Sequence, residues 1–106
     1  EIGRAIDKHA KKYHYGVVRD LCGHGVGLKF HEDPEVCHFA QRGDGMLLVP
    51  GMVFTIEPMI NMGTWKVFVD ADDPYGWEVI SEDELPSAQW EHTLLMTENG
   101  VEILSY

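Results

Sequence analysis

Gln89-Trp90-Glu91-His92-Thr93-Leu94-Leu95-Met96-Thr97-Glu98-Asn99-Gly100-Val101-Glu102-Ile103-Leu104 decides the fold class. Residues 89–97 make one strand, Asn99-Gly100 is a two-residue hairpin signal, and residues 101–104 return beside it. Working backward, residues 52–59 form a second clear strand. Asp33-Pro34, residues 42–45, Pro50-Gly51 and residues 70–76 supply turns, and Gly23, Gly25 and Gly27 make a flexible corner. Only the amino-terminal end has helical period. Ile2, Ala5, Ile6, His9, Ala10 and Tyr13 fall at i, i+3, i+4, i+7 spacing, with Arg4, Asp7, Lys8, Lys11 and Lys12 mostly elsewhere. Gly16 is placed to stop this amphipathic helix, and Val17-Val18 begins the strand region. One helix followed by a mostly antiparallel sheet is an α+β fold, read as a single domain over residues 1–106.

With 106 residues, 44% of them hydrophobic, the chain has material for one core that buries roughly 65% of its unfolded surface. A net charge of -10, from 8 Lys+Arg against 18 Asp+Glu, repels phosphates and anionic lipid and excludes nucleic acid and membrane surfaces as partners. No apolar run reaches the ~20 residues of a membrane helix, and no secretory signal opens the chain, so a soluble, cytoplasmic protein is expected. Cys22 and Cys37 are far enough apart in sequence to permit a disulfide, but so few cysteines read as reduced thiols. Residue 1 is Glu, and no Ser, Thr, Asp or Asn precedes the helix to cap it, so the natural chain is expected to begin earlier.

Chemistry resides in the histidines and carboxylates. His9, on the helix face, and His14, just past its end, read as packing residues, and His38 as structural or solvent-exposed. His24 differs because glycines flank it in Gly23-His24-Gly25-Val26-Gly27, letting a ligand or second chain approach its ring. Phe30-His31-Glu32 places a second imidazole where both rings could face one cavity. In Val53-Phe54-Thr55-Ile56-Glu57-Pro58, Glu57 shares a face with Val53 and Thr55, while Phe54 and Ile56 point away. The same parity sets Glu91 on one face with Gln89, Thr93 and Leu95, and His92 on the other. A carboxylate among apolar strand residues costs several kcal/mol without a compensating cation. No Lys or Arg sits beside either glutamate in sequence, so ligation of a Zn-, Mn-, Fe- or Co-type metal explains them better than a buried salt bridge.

Three ordered blocks carry a resemblance: Cys22-Gly-His-Gly-Val-Gly-Leu-Lys-Phe-His-Glu-Asp-Pro, Pro50-Gly-Met-Val-Phe-Thr-Ile-Glu-Pro-Met and Ser87-Ala-Gln-Trp-Glu-His-Thr. Together the chain resembles the carboxy-terminal half of a methionine aminopeptidase of the short bacterial type, an enzyme that removes the amino-terminal methionine from nascent proteins. The resemblance implies half of a pseudo-symmetric pita-bread fold. It implies that His24, Glu57 and Glu91 ligate two divalent metal ions, with Glu91 bridging them, and that Glu57 also assists proton transfer from a shared water. It implies that His31 hydrogen-bonds the substrate carbonyl or its oxyanion, and that Phe30, Cys22 and Trp77 line or border the methionine pocket.

Residues 70–76, longer than the family's usual loop, are a local departure. The larger one is that the family takes two aspartate ligands and a further histidine from a preceding half that nothing here matches. Asp70, Asp72 and Asp73 come too late and read as a solvated loop. The partners implied are therefore a nascent amino-terminal peptide and the absent half of the fold. Two rival readings remain, a catalytically inactive pita-bread module that binds peptides and a proline-specific metallopeptidase. Gln89-Trp90-Glu91-His92-Thr93 resembles the methionine aminopeptidase form of the last block more than the proline-specific one.

Overall fold

The structure is a computed structural model that describes residues 1–106. Helix α1 spans Ile2–Lys11, preceded by Glu1 with no side-chain cap. It closes in a Schellman pattern, with Tyr15 N–H donating to Ala10 C=O at 3.1 Å and His14 N–H to Lys11 C=O at 3.1 Å. The left-handed residue there is His14, φ 61°, not the expected Gly16, which already belongs to the first strand.

Ten strands follow: β1 Gly16–Val17, β2 Gly23–Gly25, β3 Glu32–Val36, β4 Val53–Ile56, β5 Met59–Asn61, β6 Val67–Val69, β7 Val79–Ser81, β8 Ser87–Gln89, β9 His92–Thr97 and β10 Gly100–Ser105. They form a five-stranded sheet in the order β10-β9-β4-β2-β3, a three-stranded sheet β1-β5-β8 and the ribbon β6-β7, with every pairing antiparallel. The α+β expectation holds. The hairpin holds too, shifted by one residue: Glu98 and Asn99 turn, and Gly100, φ 134°, already pairs with Thr97.

The two long strands expected at 52–59 and 89–97 are each broken in two. Ile56 pairs with His92 in the larger sheet and Met59 with Gln89 in the smaller. Glu57-Pro58 and Trp90-Glu91 therefore face one another where both segments change sheets. Pro58 has no N–H to give a ladder, and the Glu57 N–H goes sideways to His38 Nε2 at 3.1 Å.

Phe54, 1% exposed, centres the core with Val36 and Leu94, against which Ile2, Leu48, Met52, Ile56 and Met96 pack. The helix docks by a face rotated from the one its period suggests and sharing Ile2 and Ala10 with it. Gly3, Asp7 and Ala10 are buried. A Cβ on Gly3 would overlap the carbonyl oxygen of Phe39, so only glycine lets α1 approach that backbone. Asp7 Oδ2 accepts the Ala40 N–H at 3.0 Å. Ala5, His9 and Tyr13 are left outward and with Ile6, Tyr15, Pro58 and Ile60 bound an apolar cavity of about 670 Å³.

That open stripe is part of a larger imbalance. The chain exposes 7727 Å², whereas a folded monomer of 12.0 kDa exposes about 6,000 Å². Against an unfolded surface of about 17,400 Å², roughly 56% is buried, short of the 65% expected from length. The difference of about 1,700 Å² is the size of one side of a large permanent interface. No helix is long and apolar enough to cross a membrane.

Replacing Gly3 with valine should lower stability by about 1–3 kcal/mol, the range for forcing atoms into a filled contact. Urea unfolding followed by tryptophan fluorescence measures it; an unchanged midpoint would mean that α1 can dock elsewhere.

Candidate metal centre

His24 is the middle residue of β2, and its backbone is gripped on both sides. Its N–H donates to Thr55 Oγ1 at 3.0 Å. Gly23 lies against the Thr55 carbonyl and Gly25 against that of Asp33, where any Cβ would collide with backbone. The glycines thus admit neighbouring strands β4 and β3 rather than a ligand, and the expected flexible corner is a buried strand. The His24 ring takes its orientation from an Nδ1 contact with the Gly25 carbonyl at 3.0 Å. A neutral ring donating there leaves Nε2 a free lone pair on the open side.

Nε2 faces Glu57 Oε1 at 3.9 Å, and one ligand atom from each of His24, Glu57 and Glu91 lies within 4.8 Å of the others. The parity argument is borne out in geometry. Glu91 turns into this cluster, whereas the His92 ring stands edge-on to Tyr106, 5.3 Å away, with Nδ1 3.3 Å from the Ser105 carbonyl.

Thr55 and His38 are what sequence reasoning missed. Thr55 is 1% exposed on a strand paired on both edges, by β2 and by β9. His38 is not solvent-exposed but wholly buried, and burial pushes its pKa down to about 4. It is neutral at pH 7, so its Nε2 can accept the Glu57 N–H while Nδ1, the protonated nitrogen, finds no partner.

The electrostatics disfavour two charged carboxylates at this place. Burial raises the pKa of Glu57 first, then the Glu91 charge; His24 opposes this, and a side-chain hydrogen bond with Glu91 adds to it. The only Lys or Arg ion pair in the chain joins Lys11 to Asp7, away from the cluster. Two carboxylates facing each other beside an imidazole, with no ammonium or guanidinium to compensate them, form a donor set of hard oxygens and one nitrogen that suits a divalent ion of the Mn, Fe, Co or Zn type.

The other expected residues divide into two groups. His31 stacks edge-on to His24 with centroids 4.3 Å apart, and Phe30, 74% exposed, contacts both rings at 5.9 and 4.5 Å. The Cys22 thiol is within electrostatic reach of Glu57. Trp77 stands apart. It is 85% exposed in the β6–β7 connection, its N–H held by Asp73 Oδ2 at 2.6 Å. Asp73 also accepts from Tyr75 and Glu78, so these aspartates organise a solvated loop, as expected.

Metallopeptidase family M24 matches residues 1–98. The chain is 51% identical over 105 residues to methionine aminopeptidase A of Synechocystis, covering 99% of this chain and 40% of that protein. It is 49% identical to the methionine aminopeptidase of Salmonella typhimurium, covering 98% and 38%. Crystal structures of methionine aminopeptidases from Rickettsia prowazekii and Thermotoga maritima superpose with TM-scores of 0.88 each, at 44% and 41% identity, covering 95% and 96% of this chain and 40% of theirs. The chain thus spans about 40% of the length of these relatives.

Removing the repulsion without removing the shape gives a test. Glu57→Gln should raise the urea midpoint of the metal-free chain and abolish its Mn²⁺ binding, measured by calorimetry. A lower midpoint would show that the charge is compensated by something other than a metal. With its ligand geometry, its match to the family and a shared fold that makes it half of a pita bread, the chain belongs to metallopeptidase family M24.

Proposed function

We propose that this chain supplies the carboxy-terminal part of a methionyl aminopeptidase, a metallo-exopeptidase that removes the amino-terminal methionine from nascent proteins in the cytoplasm. The observation that carries the reading is the convergence of His24, Glu57 and Glu91 within 4.8 Å, in a chain about 50% identical to methionine aminopeptidases along nearly its whole length. Two divalent ions (Co, Mn, Fe or Zn), when bound, supply Lewis-acid polarisation of the scissile carbonyl and lower the pKa of a water.

The chain's own groups do the rest. Glu91, His24 and Glu57 would hold the ions. Glu57 would also accept the proton of a nearby water and pass it toward the leaving amine. The exposed imidazole of His31, beside His24, donates a hydrogen bond to the carbonyl oxygen as negative charge grows on it. Phe30 and Cys22 wall one side of the pocket for the unbranched thioether of methionine, and Trp77 borders it once the β6–β7 connection is packed.

His24 with two glutamates carries only two negative charges against the four of two dications. The remaining ligands, two aspartates in the family, come with the amino-terminal half, which also covers the apolar stripe of α1 and the roughly 1,700 Å² of surplus surface. The presence together of every ligand this half would supply argues against a peptide-binding module, which has no need of three converging metal ligands.

The purified chain should show little or no turnover of a Met-Ala-Ser peptide with Mn²⁺ or Co²⁺, and activity should appear on mixing with a separately made amino-terminal half. Full turnover by the chain alone would refute the proposal, as would release from X-Pro peptides in preference to Met-Ala-Ser. In the active mixture His31→Ala should cut kcat by ~10²–10³-fold, the loss typical of one oxyanion donor, with metal content unchanged. Loss of metal in that variant would reassign His31 as a ligand.

A further inference from the structure

Cys22 and Cys37 meet across the edge of the larger sheet. Gly23 pairs with Val36 and His24 with Glu35, so the antiparallel register continued by one residue sets Cys22 opposite Cys37. Opposed residues in such a pair project to the same face with Cα atoms about 4.5–5.5 Å apart, within the range that a disulfide spans. Both thiols are free and partly exposed. Gln41 Nε2 donates to Cys37 Sγ at 3.4 Å, and this exposed amide is the only side chain bonded to either sulfur.

Each cysteine adjoins the metal centre. Cys22 lies two residues before His24, and Cys37 immediately precedes His38, the acceptor of the Glu57 N–H. A displacement of residue 37 therefore moves the group that fixes the backbone of Glu57.

We propose that Cys22 and Cys37 close into a reversible disulfide when the chain meets a small disulfide of the oxidised-glutathione class, and that closure loosens the metal centre. The second clause rests on the metal reading above. One cysteine thiolate attacks a sulfur of the small disulfide, forming a mixed disulfide and releasing one thiolate, which takes up the proton the cysteine lost. The other cysteine, as thiolate, attacks the protein sulfur of that mixed disulfide and releases the second small thiol. Two protein thiols are oxidised, one small disulfide is reduced to two thiols, and no other reactant is needed. With the sulfurs drawn to about 2.05 Å, residues 37 and 38 shift toward β2, and the hydrogen bond from Glu57 to His38 lengthens. Disturbing such an outer support weakens metal binding by ~10–100-fold.

The test uses the full 106-residue chain treated with oxidised glutathione, alkylated, and read by intact mass and non-reducing electrophoresis. Mn²⁺ calorimetry is run before treatment, after it, and after dithiothreitol. The expected product is a monomer with both thiols lost and no glutathione attached, an Mn²⁺ affinity at least about tenfold weaker, and recovery on reduction. Cys37→Ser should bind Mn²⁺ like the parent when reduced and end as a stable mixed disulfide at Cys22. Mixed disulfides or covalent dimers as the parent's final product would overturn the bridge. An unchanged Mn²⁺ affinity in the bridged monomer would overturn the coupling. A reduced parent that fails to bind Mn²⁺ at all would instead sink the metal reading, and the coupling with it, while the masses still decide whether the bridge forms.

Discussion

Two carboxylates, Glu57 and Glu91, are held face to face with no basic side chain to neutralise them, and much of the architecture exists to hold them there. Burial first and the Glu91 charge next raise the Glu57 pKa, and a side-chain hydrogen bond between the two adds to this, so the pair costs stability unless a proton or a cation offsets its charge.

The position of the pair follows from the sheet crossing. Strands β4 and β9 pair in one sheet, and their extensions β5 and β8 pair in the other, so the ribbon bends between them. At a bend the ladder hydrogen bonds lapse, while Glu57 and Glu91 keep the facing positions that the paired register of β4 and β9 extends to them. The backbone groups released there still need partners. His38 takes the Glu57 N–H and Thr55 takes the His24 N–H, each from a buried residue whose rotation packing prevents.

How much of this was legible in the sequence depended on whether local pattern or tertiary contact decided the residue. The hairpin at residues 97–100 and the side on which Glu91 emerges follow from period two and turn chemistry, and both were readable. The docking face of α1 was not. Period 3.6 favours the stripe through Ile2, Ala5, Ile6, His9, Ala10 and Tyr13, of which Ile2 and Ala10 do lie inward, yet the contact centres on Gly3 and Asp7, because a close backbone approach and one buried hydrogen bond outweigh the rest of that stripe. The glycines beside His24 were noticed for the right residue and the wrong reason: they accommodate strands, not ligand. Ligand identities came from the resemblance together with the absence of nearby cations. Thr55 and His38 were invisible because their roles depend on backbone groups 31 and 19 residues away.

The same division explains why the chain's surface is open while its site is rigid. The candidate ligands His24, Glu57 and Glu91 are positioned by contacts inside these 106 residues, through β2, β4 and β9 and the two buried supports. The open surface lies elsewhere: α1 presents an apolar stripe, and β10, at the edge of the larger sheet, exposes Val101, Ile103 and Leu104. Covering an apolar face does not require moving residues held by buried hydrogen bonds, so the geometry of the cluster and the openness of those faces are separate features of the fold.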